Sequence, residues 1–158
     1  MKNLPIDMEL LSELISEDTR GEGECYLDTN SGEVSYIPLN VLEALEDNSK
    51  LISLEDWEKD LINEAINILS PNKQQYLHIP IVEEDFTISV MKEYTFSLAD
   101  NMLRDKLLNS LKDANYSHKF NSILLREGDI DNFYDFKDYR YYEYLQRWLL
   151  KNGIKNIE

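Results

Sequence analysis

Apolar residues along this chain fall into two rhythms, and the change between them orders the sequence. Met8, Leu11, Leu14 and Ile15 recur three and four apart, the spacing that lines one face of a helix with about 3.6 residues per turn. Pro5 stands just ahead, as the fixed φ of proline favours at a helix start. The polar, glycine-containing run at 17–23 predicts a loop. The rhythm then shortens. Residues 24–28 and 33–37 are β-prone runs around Thr29-Asn30-Ser31-Gly32, and a glycine after a polar cluster supplies the positive φ of a tight hairpin. Pro38 ends the second run because it has no N–H for the ladder. Gln75-Tyr76-Leu77-His78-Ile79-Pro80 reads as a further strand, which a hairpin that is marginal alone in water requires.

Everything else reads helical. Asn40 is placed to cap a turn through Val41, Leu42 and Leu45. Ser53 with Asp56 three residues on resembles a capping box, opening a helix to about Leu69 with Trp57, Leu61, Ala65 and Ile68 inward and Pro71-Asn72 as its stop. Asp85 can cap a segment presenting Phe86, Val90, Tyr94 and, beside them, Ile88, Met91 and Leu98. Asp100 restarts a helix with Leu103, Leu107 and Leu111 at four-residue spacing. Ser117 opens the next, with Phe120, Ile123 and Leu124 inward and Gly128 at its end.

The stretch 130–153 is crowded with aromatic residues and predicts one long helix, with Asp131 as N-cap and Asn152-Gly153 as the left-handed stop. At about 100° per residue, Tyr134, Tyr141, Leu145, Trp148 and Leu149 share a core face. Lys137, Arg140, Tyr144, Arg147 and Lys151 line the adjoining strip. Tyr139, Tyr141, Tyr142 and Tyr144 cannot all point inward from one helix, so some tyrosine surface faces solvent or a partner. The expected fold class is therefore α+β: mostly helical, with a small antiparallel sheet (hairpin plus one strand) on helices and a C-terminal helical bundle ending in a long helix. One domain over 1–158 is expected, with an acidic mixed α/β half at 1–80 and a helical half at 81–158.

Charge sharpens that division. Residues 1–70 carry 17 acidic against 4 basic residues, a net of −13, whereas 71–158 carry 14 against 12, a net of −2. So acidic a surface repels phosphate backbones and anionic membranes. Solubility is its plain explanation; mimicry of nucleic acid by ordered carboxylates is the sharper one. Met1-Lys2-Asn3-Leu4-Pro5-Ile6-Asp7 has no apolar leader core and no stretch approaches a membrane span, which predicts a cytoplasmic protein without a membrane partner.

Catalytic chemistry finds little footing. Cys25, His78 and His118 are the only Cys and His residues, too few and too scattered for zinc. Asp129-Ile130-Asp131 with Asp135 reads as loop and cap, lacking the glycine and bidentate glutamate of a calcium loop. No Gly-x-Ser-x-Gly elbow occurs, and Gly21-Glu22-Gly23-Glu24 places carboxylates where a phosphate would sit. With 31 acidic residues, any chosen pair of carboxylates is uninformative. No cofactor and no metal is expected.

Several short motifs keep a common order: Tyr26-Leu27-Asp28 then Gly32-Glu33-Val34, Leu77-His78-Ile79-Pro80, Phe120, Phe133-Tyr134-x-Phe136-Lys137, Trp148-Leu149 and Asn152-Gly153-Ile154. In this order and spacing, over about residues 5–154, the chain resembles the bacterial uncharacterised protein family UPF0158. Two departures stand out. The family's aromatic-basic-basic-Phe cluster reads here Tyr116-Ser117-His118-Lys119-Phe120, and its Trp-Tyr pair reads Phe133-Tyr134. Whatever those basic residues hold in relatives, this chain would hold less well. The resemblance implies a mixed α/β architecture and no established activity.

The sequence thus predicts a non-enzymatic, cytoplasmic protein-interaction or regulatory module with a protein partner, its surface formed by Lys137, Arg140, Tyr144, Arg147 and Lys151 with Tyr139 and Tyr142 beside them. A nucleic-acid-related role, through this strip or through acidic mimicry, is one alternative. An enzyme with an unrecognised carboxylate site is the other.

Overall fold

A computed structural model of the protein describes residues 1–16, 22–71 and 74–157. Most of the loop expected at 17–23, and Asn72 of the Pro71-Asn72 stop, lie outside the described residues. The fold is α+β, and the chain gathers into two compact units, Met1–Ile81 with Leu145–Glu158, and Val82–Tyr144.

The first unit holds both sheets. β2 (Glu24–Asp28) and β3 (Val34–Ile37) form the expected antiparallel hairpin, and β4 (Tyr76–His78) pairs antiparallel on the other side of β2, giving the order β3-β2-β4. The alternation of β2 decides its faces: Cys25 and Leu27 are buried, and Glu24, Tyr26 and Asp28 are half-exposed. Ile79 N–H extends the β4 pairing by donating to Cys25 O at 2.9 Å. Gly32 in the hairpin turn has φ +83°, and a Cβ there would lie 2.5 Å from Pro5 O. Only glycine meets both the left-handed backbone and the close approach.

Helices α1 (Met8–Leu14), α2 (Leu39–Glu46), α3 (Asp56–Lys59) and α4 (Ile62–Ile68), with a 3₁₀ turn at Asn48–Ser53, complete the N-terminal part of this unit. Ile37, Val41, Ala65 and Ile68 form one core cluster, with Tyr26, Leu42, Leu61 and Tyr76 packed around it. A second sheet was not anticipated. β1 (Lys2–Leu4) pairs parallel with β5 (Ile154–Asn156), Lys2 opposite Ile154 and Leu4 opposite Asn156. Lys2 N–H donates to Gly153 O at 2.8 Å, and Ile157 N–H to Leu4 O at 2.9 Å. Strands this short leave no periodic signal, and their partners lie about 150 residues apart by the pairing register.

The second unit is helical: α5 (Glu84–Ser97), α6 (Asn101–Ser110), α7 (Tyr116–Arg126) and the first part of α8 (Ile130–Lys151). Asp100 caps α6 as expected, accepting from Met102 N–H at 3.0 Å and Leu103 N–H at 3.2 Å. Gly128, φ +71°, ends α7.

Several expected caps move by a residue or more. Pro38, not Asn40, precedes α2, and its carbonyl accepts from Val41 and Leu42 N–H. The capping box is Glu55 with Glu58, whose Oε1 accepts from Glu55 N–H at 3.0 Å; Ser53 Oγ instead donates to Lys50 O in the 3₁₀ turn. The helix expected to reach Leu69 unbroken is split between Lys59 and Ile62. Trp57, expected inward, is 55% exposed and donates to Glu55 Oε2 at 2.5 Å. α5 starts at Glu84 behind Glu83 rather than behind Asp85, α7 at Tyr116 behind Asn115, and α8 at Ile130, which puts Asp131 inside its first turn.

Candidate functional site

α8 is one unbroken helix of 22 residues. Its head is fixed by Asp129, which accepts from the Tyr94 hydroxyl on Oδ2 and from Asn132 Nδ2 on Oδ1 at 2.7 Å, while its carbonyl receives Phe133 N–H at 3.3 Å. Burial first, and then this carboxylate, push the Tyr94 hydroxyl well above the ordinary tyrosine range. At the other end Asn152 Nδ2 donates to Trp148 O at 2.8 Å and Gly153 takes φ +74°, the expected left-handed stop.

Phe133, Tyr141, Leu145 and Leu149 are the buried side chains of α8. They follow multiples of four residues, and each step of four advances the stripe about 40° around the helix. Projecting back from Tyr141 on a straight wheel selects Tyr134, but Tyr134 is 44% exposed and Phe133 holds the core position. Around Phe133 the rings of Tyr94 and Phe120 stand 5.3 and 5.0 Å away, at edge-on angles.

The same drift divides the predicted strip. Arg140 is drawn inward: its Nε lies 2.9 Å from Glu93 Oε2, off the N–H direction, and its NH1 donates to Glu143 Oε1 at 3.4 Å. Lys137 Nζ sits 5.2 Å from the centroid of the Tyr141 ring. Tyr144 packs its ring 5.0 Å from Phe86; burial, with Glu83 adding to it, raises its hydroxyl above the usual tyrosine value. Tyr142 is half-buried. Tyr139 is 64% exposed, and Arg147 and Lys151 are exposed with no ion pair among the described residues. The structure therefore does not present Lys137, Arg140, Tyr144, Arg147 and Lys151 as one outward ridge. Of the predicted surface, Tyr139 stays exposed in the helical unit, beside the exposed Asp135 and Asp138, and Arg147 and Lys151 stay exposed with Gln146 and Leu150 on the last turns of α8 in the mixed unit.

Elsewhere, Cys25 is buried in β2, and His78 Nε2 lies 2.5 Å from Glu24 Oε2 across β2 and β4. Among the described residues no group of three Cys, His, Asp or Glu is placed to hold a metal ion, and no helix is long and apolar enough to cross a membrane. The sequence marked His118 and Lys119 only as a departure from the family's basic cluster, whereas in the structure Lys119, Ser122 and Arg126 of α7 line one groove with Lys106 and Asn109 of α6. The signal for Ser122 and Arg126 was there in the three- and four-residue steps from Lys119 to Arg126.

No family model, curated protein or solved structure matches the chain. The likeness to UPF0158 rests on the quoted motifs alone.

Proposed function

We propose that this chain is a non-enzymatic protein-interaction or regulatory module of the cytoplasm, a distant relative of the UPF0158 proteins, and that it meets its protein partner through the exposed face of α8. The observation behind this reading is the exposure of Tyr139 on a regular helix; further along the same helix Arg147, Leu150 and Lys151 are exposed as well. Tyrosine and arginine supply a disproportionate share of binding energy at protein interfaces, because each combines a large apolar body with a directional polar end. A helix presents them without the ordering cost a loop would bear.

Nucleic acid suits this face poorly. Binding to phosphate backbones grows with the number of cations that replace counterions, and of the four in the predicted strip Arg140 is paired and Lys137 lies over a ring, which leaves Arg147 and Lys151.

A photo-crosslinking residue at position 139 in the full chain, expressed in its native cell, tests the reading. One partner should be captured reproducibly, and Arg147→Glu should abolish its capture while far-UV circular dichroism stays unchanged. Capture that is equally strong from position 102 on α6, or that survives Arg147→Glu, would refute the assignment.

A further inference from the structure

A different observation concerns the helical unit alone. Between residues 82 and 144 acidic residues outnumber basic ones, 13 to 8, yet the segment 101–126 reverses the sign, with 5 Lys and Arg against 2 Asp. The structure gathers that reversal into one place. An open groove of about 530 Å³ lies against α6 and α7, and Lys106, His118, Lys119 and Arg126 are among the residues that line it. Local positive charge on a chain of net charge −15 is not the default outcome of solubility.

The chemistry of the lining narrows the ligand. Asn109 and Ser122 add neutral hydrogen-bonding groups between the cations, and Ile123 is the one apolar side chain among the lining residues. No Phe, Tyr or Trp lines the groove, and the exposed His118 imidazole is the one ring at it, so a nucleobase would find little to stack on. From Lys119 to Arg126 the cationic edge of α7 extends only about 10 Å at about 1.5 Å per residue. That length spans two or three linked phosphates, whereas a longer polyanion would run on into an acidic surface. Asn115, ahead of α7, makes no side-chain cap to the first turn, so the positive end of that helix adds to the field beside His118 and Lys119.

Two of the cations are already engaged by carboxylates, weakly. Lys119 Nζ donates to Asp113 Oδ2, and Lys106 Nζ lies 3.7 Å from Glu127 Oε1; all four side chains are more than a third exposed. The hydrogen bond from Lys119, followed by one from the Asn115 backbone, holds the Asp113 carboxyl below its usual range, so it competes as a full negative charge. Exposed pairs of this kind exchange readily, and a phosphate oxyanion offers each lysine more charge and more acceptors than a single carboxylate does. Arg126 is exposed and has no ion pair among the described residues, so its planar fork is available to the incoming group.

We propose that the groove between α6 and α7 binds a small ligand bearing two or three linked phosphate groups, with Arg126 and Lys119 holding the phosphates, Lys106 and Ser122 completing the contacts, and Asp113 acting as the internal competitor that the ligand displaces.

Calorimetric titration of the full chain at low ionic strength tests this, with tripolyphosphate, orthophosphate, ATP and a single-stranded DNA 12-mer as probes. Tripolyphosphate should bind well above orthophosphate, and ATP should stay within a few-fold of tripolyphosphate because no Phe, Tyr or Trp ring awaits the base. Lys119→Ala with Arg126→Ala should weaken tripolyphosphate by at least about tenfold, and Lys155→Ala, on β5, should leave it unchanged. Asp113→Asn should tighten it by about three- to fivefold, an outcome that general loss of structure cannot imitate. In the unaltered protein, amide shifts on adding tripolyphosphate should centre on Asn109, Ser122 and Arg126. The proposal is overturned if Lys155→Ala weakens binding as much as the groove variants do, or if Asp113→Asn leaves it unchanged. A tenfold preference for ATP or for the DNA over tripolyphosphate would overturn it too, since each needs a surface this groove lacks.

Discussion

The two units are stabilised at opposite ends of the sequence-separation scale. In the helical unit, neighbours in space are neighbours in sequence: α5, α6, α7 and the head of α8 follow one another through short links, and Phe120, Phe133 and Tyr94 meet within some forty residues, as numbered. In the mixed unit, β1 waits for β5 across almost the whole chain, and Ile6 N–H donates to Asn156 Oδ1 at 2.9 Å over 150 residues. The helical unit is thus specified by local rhythm, and the mixed unit by closure. Local contacts form fast and read plainly from a sequence; closure is slow, because loop entropy must be overcome before any contact rewards it.

That contrast can be broken most forcefully at its two cores. Phe133→Ala should destabilise by about 3–5 kcal/mol through the cavity it leaves among Tyr94 and Phe120. Hydrogen exchange should place the loss of protection first in α5 to α7, and protection lost equally from β2 and β3 would mean that the two cores unfold as one. Ile154→Ala, at a fully buried position of β5, should cost about 2–5 kcal/mol in urea titration and release the β1 amides while those of α6 stay protected. Gly32→Ala should follow at about 1–3 kcal/mol, since alanine resists φ +83° and its Cβ would press on Pro5 O.

Tyr94→Phe is a smaller test, about 1.5 kcal/mol at neutral pH, and it carries a pH signature. The hydroxyl titrates higher in the folded chain than in the unfolded one, so its stabilisation is complete below the ordinary tyrosine value of about 10 and is lost as pH climbs beyond it. The difference in stability between wild type and Tyr94→Phe should therefore shrink as pH rises from 9 to 11; a constant difference would mean that the hydroxyl titrates alike in the folded and unfolded chains. Smallest of all, Arg147→Ala should change stability by no more than about 0.5 kcal/mol, as expected of an exposed side chain with no ion pair among the described residues. Any larger loss would bring Arg147 into the folded core's hydrogen bonding and out of the interaction surface.

Legibility follows the same contrast. Asp100, Leu103 and Leu107 were readable because cap and stripe lie within one helix. The hairpin was readable because Gly32 marks its turn. β1 and β5 were not, since Lys2–Leu4 and Ile154–Asn156 are three residues each and carry no alternation long enough to detect. On α8 the helix itself was plain, but the choice of Tyr134 over Phe133 shows the limit of a straight wheel: a stripe kept at multiples of four turns steadily, and the wheel misplaces its far end. That error also made the basic strip look continuous. Arg140 could have been suspected from Glu143 three residues on, but Glu93 comes from another helix and only the fold supplies it. Lys106 and Arg126 of the groove were missed for a plainer reason, because charged positions on an amphipathic helix are ordinarily set aside as solvated.

The parallel pairing of β1 with β5 has a consequence for how the protein is made. A ribosome adding about 5–20 residues per second would need about 8–30 seconds to go from Leu4 to Ile154, and throughout that time β1 lacks its mate. During that interval Leu4, which ends up buried in the finished protein, stays open to solvent and to other nascent chains. Leu4 is thus sheltered only once Ile154–Asn156 arrive, and until then it offers a holding chaperone an apolar side chain to cover.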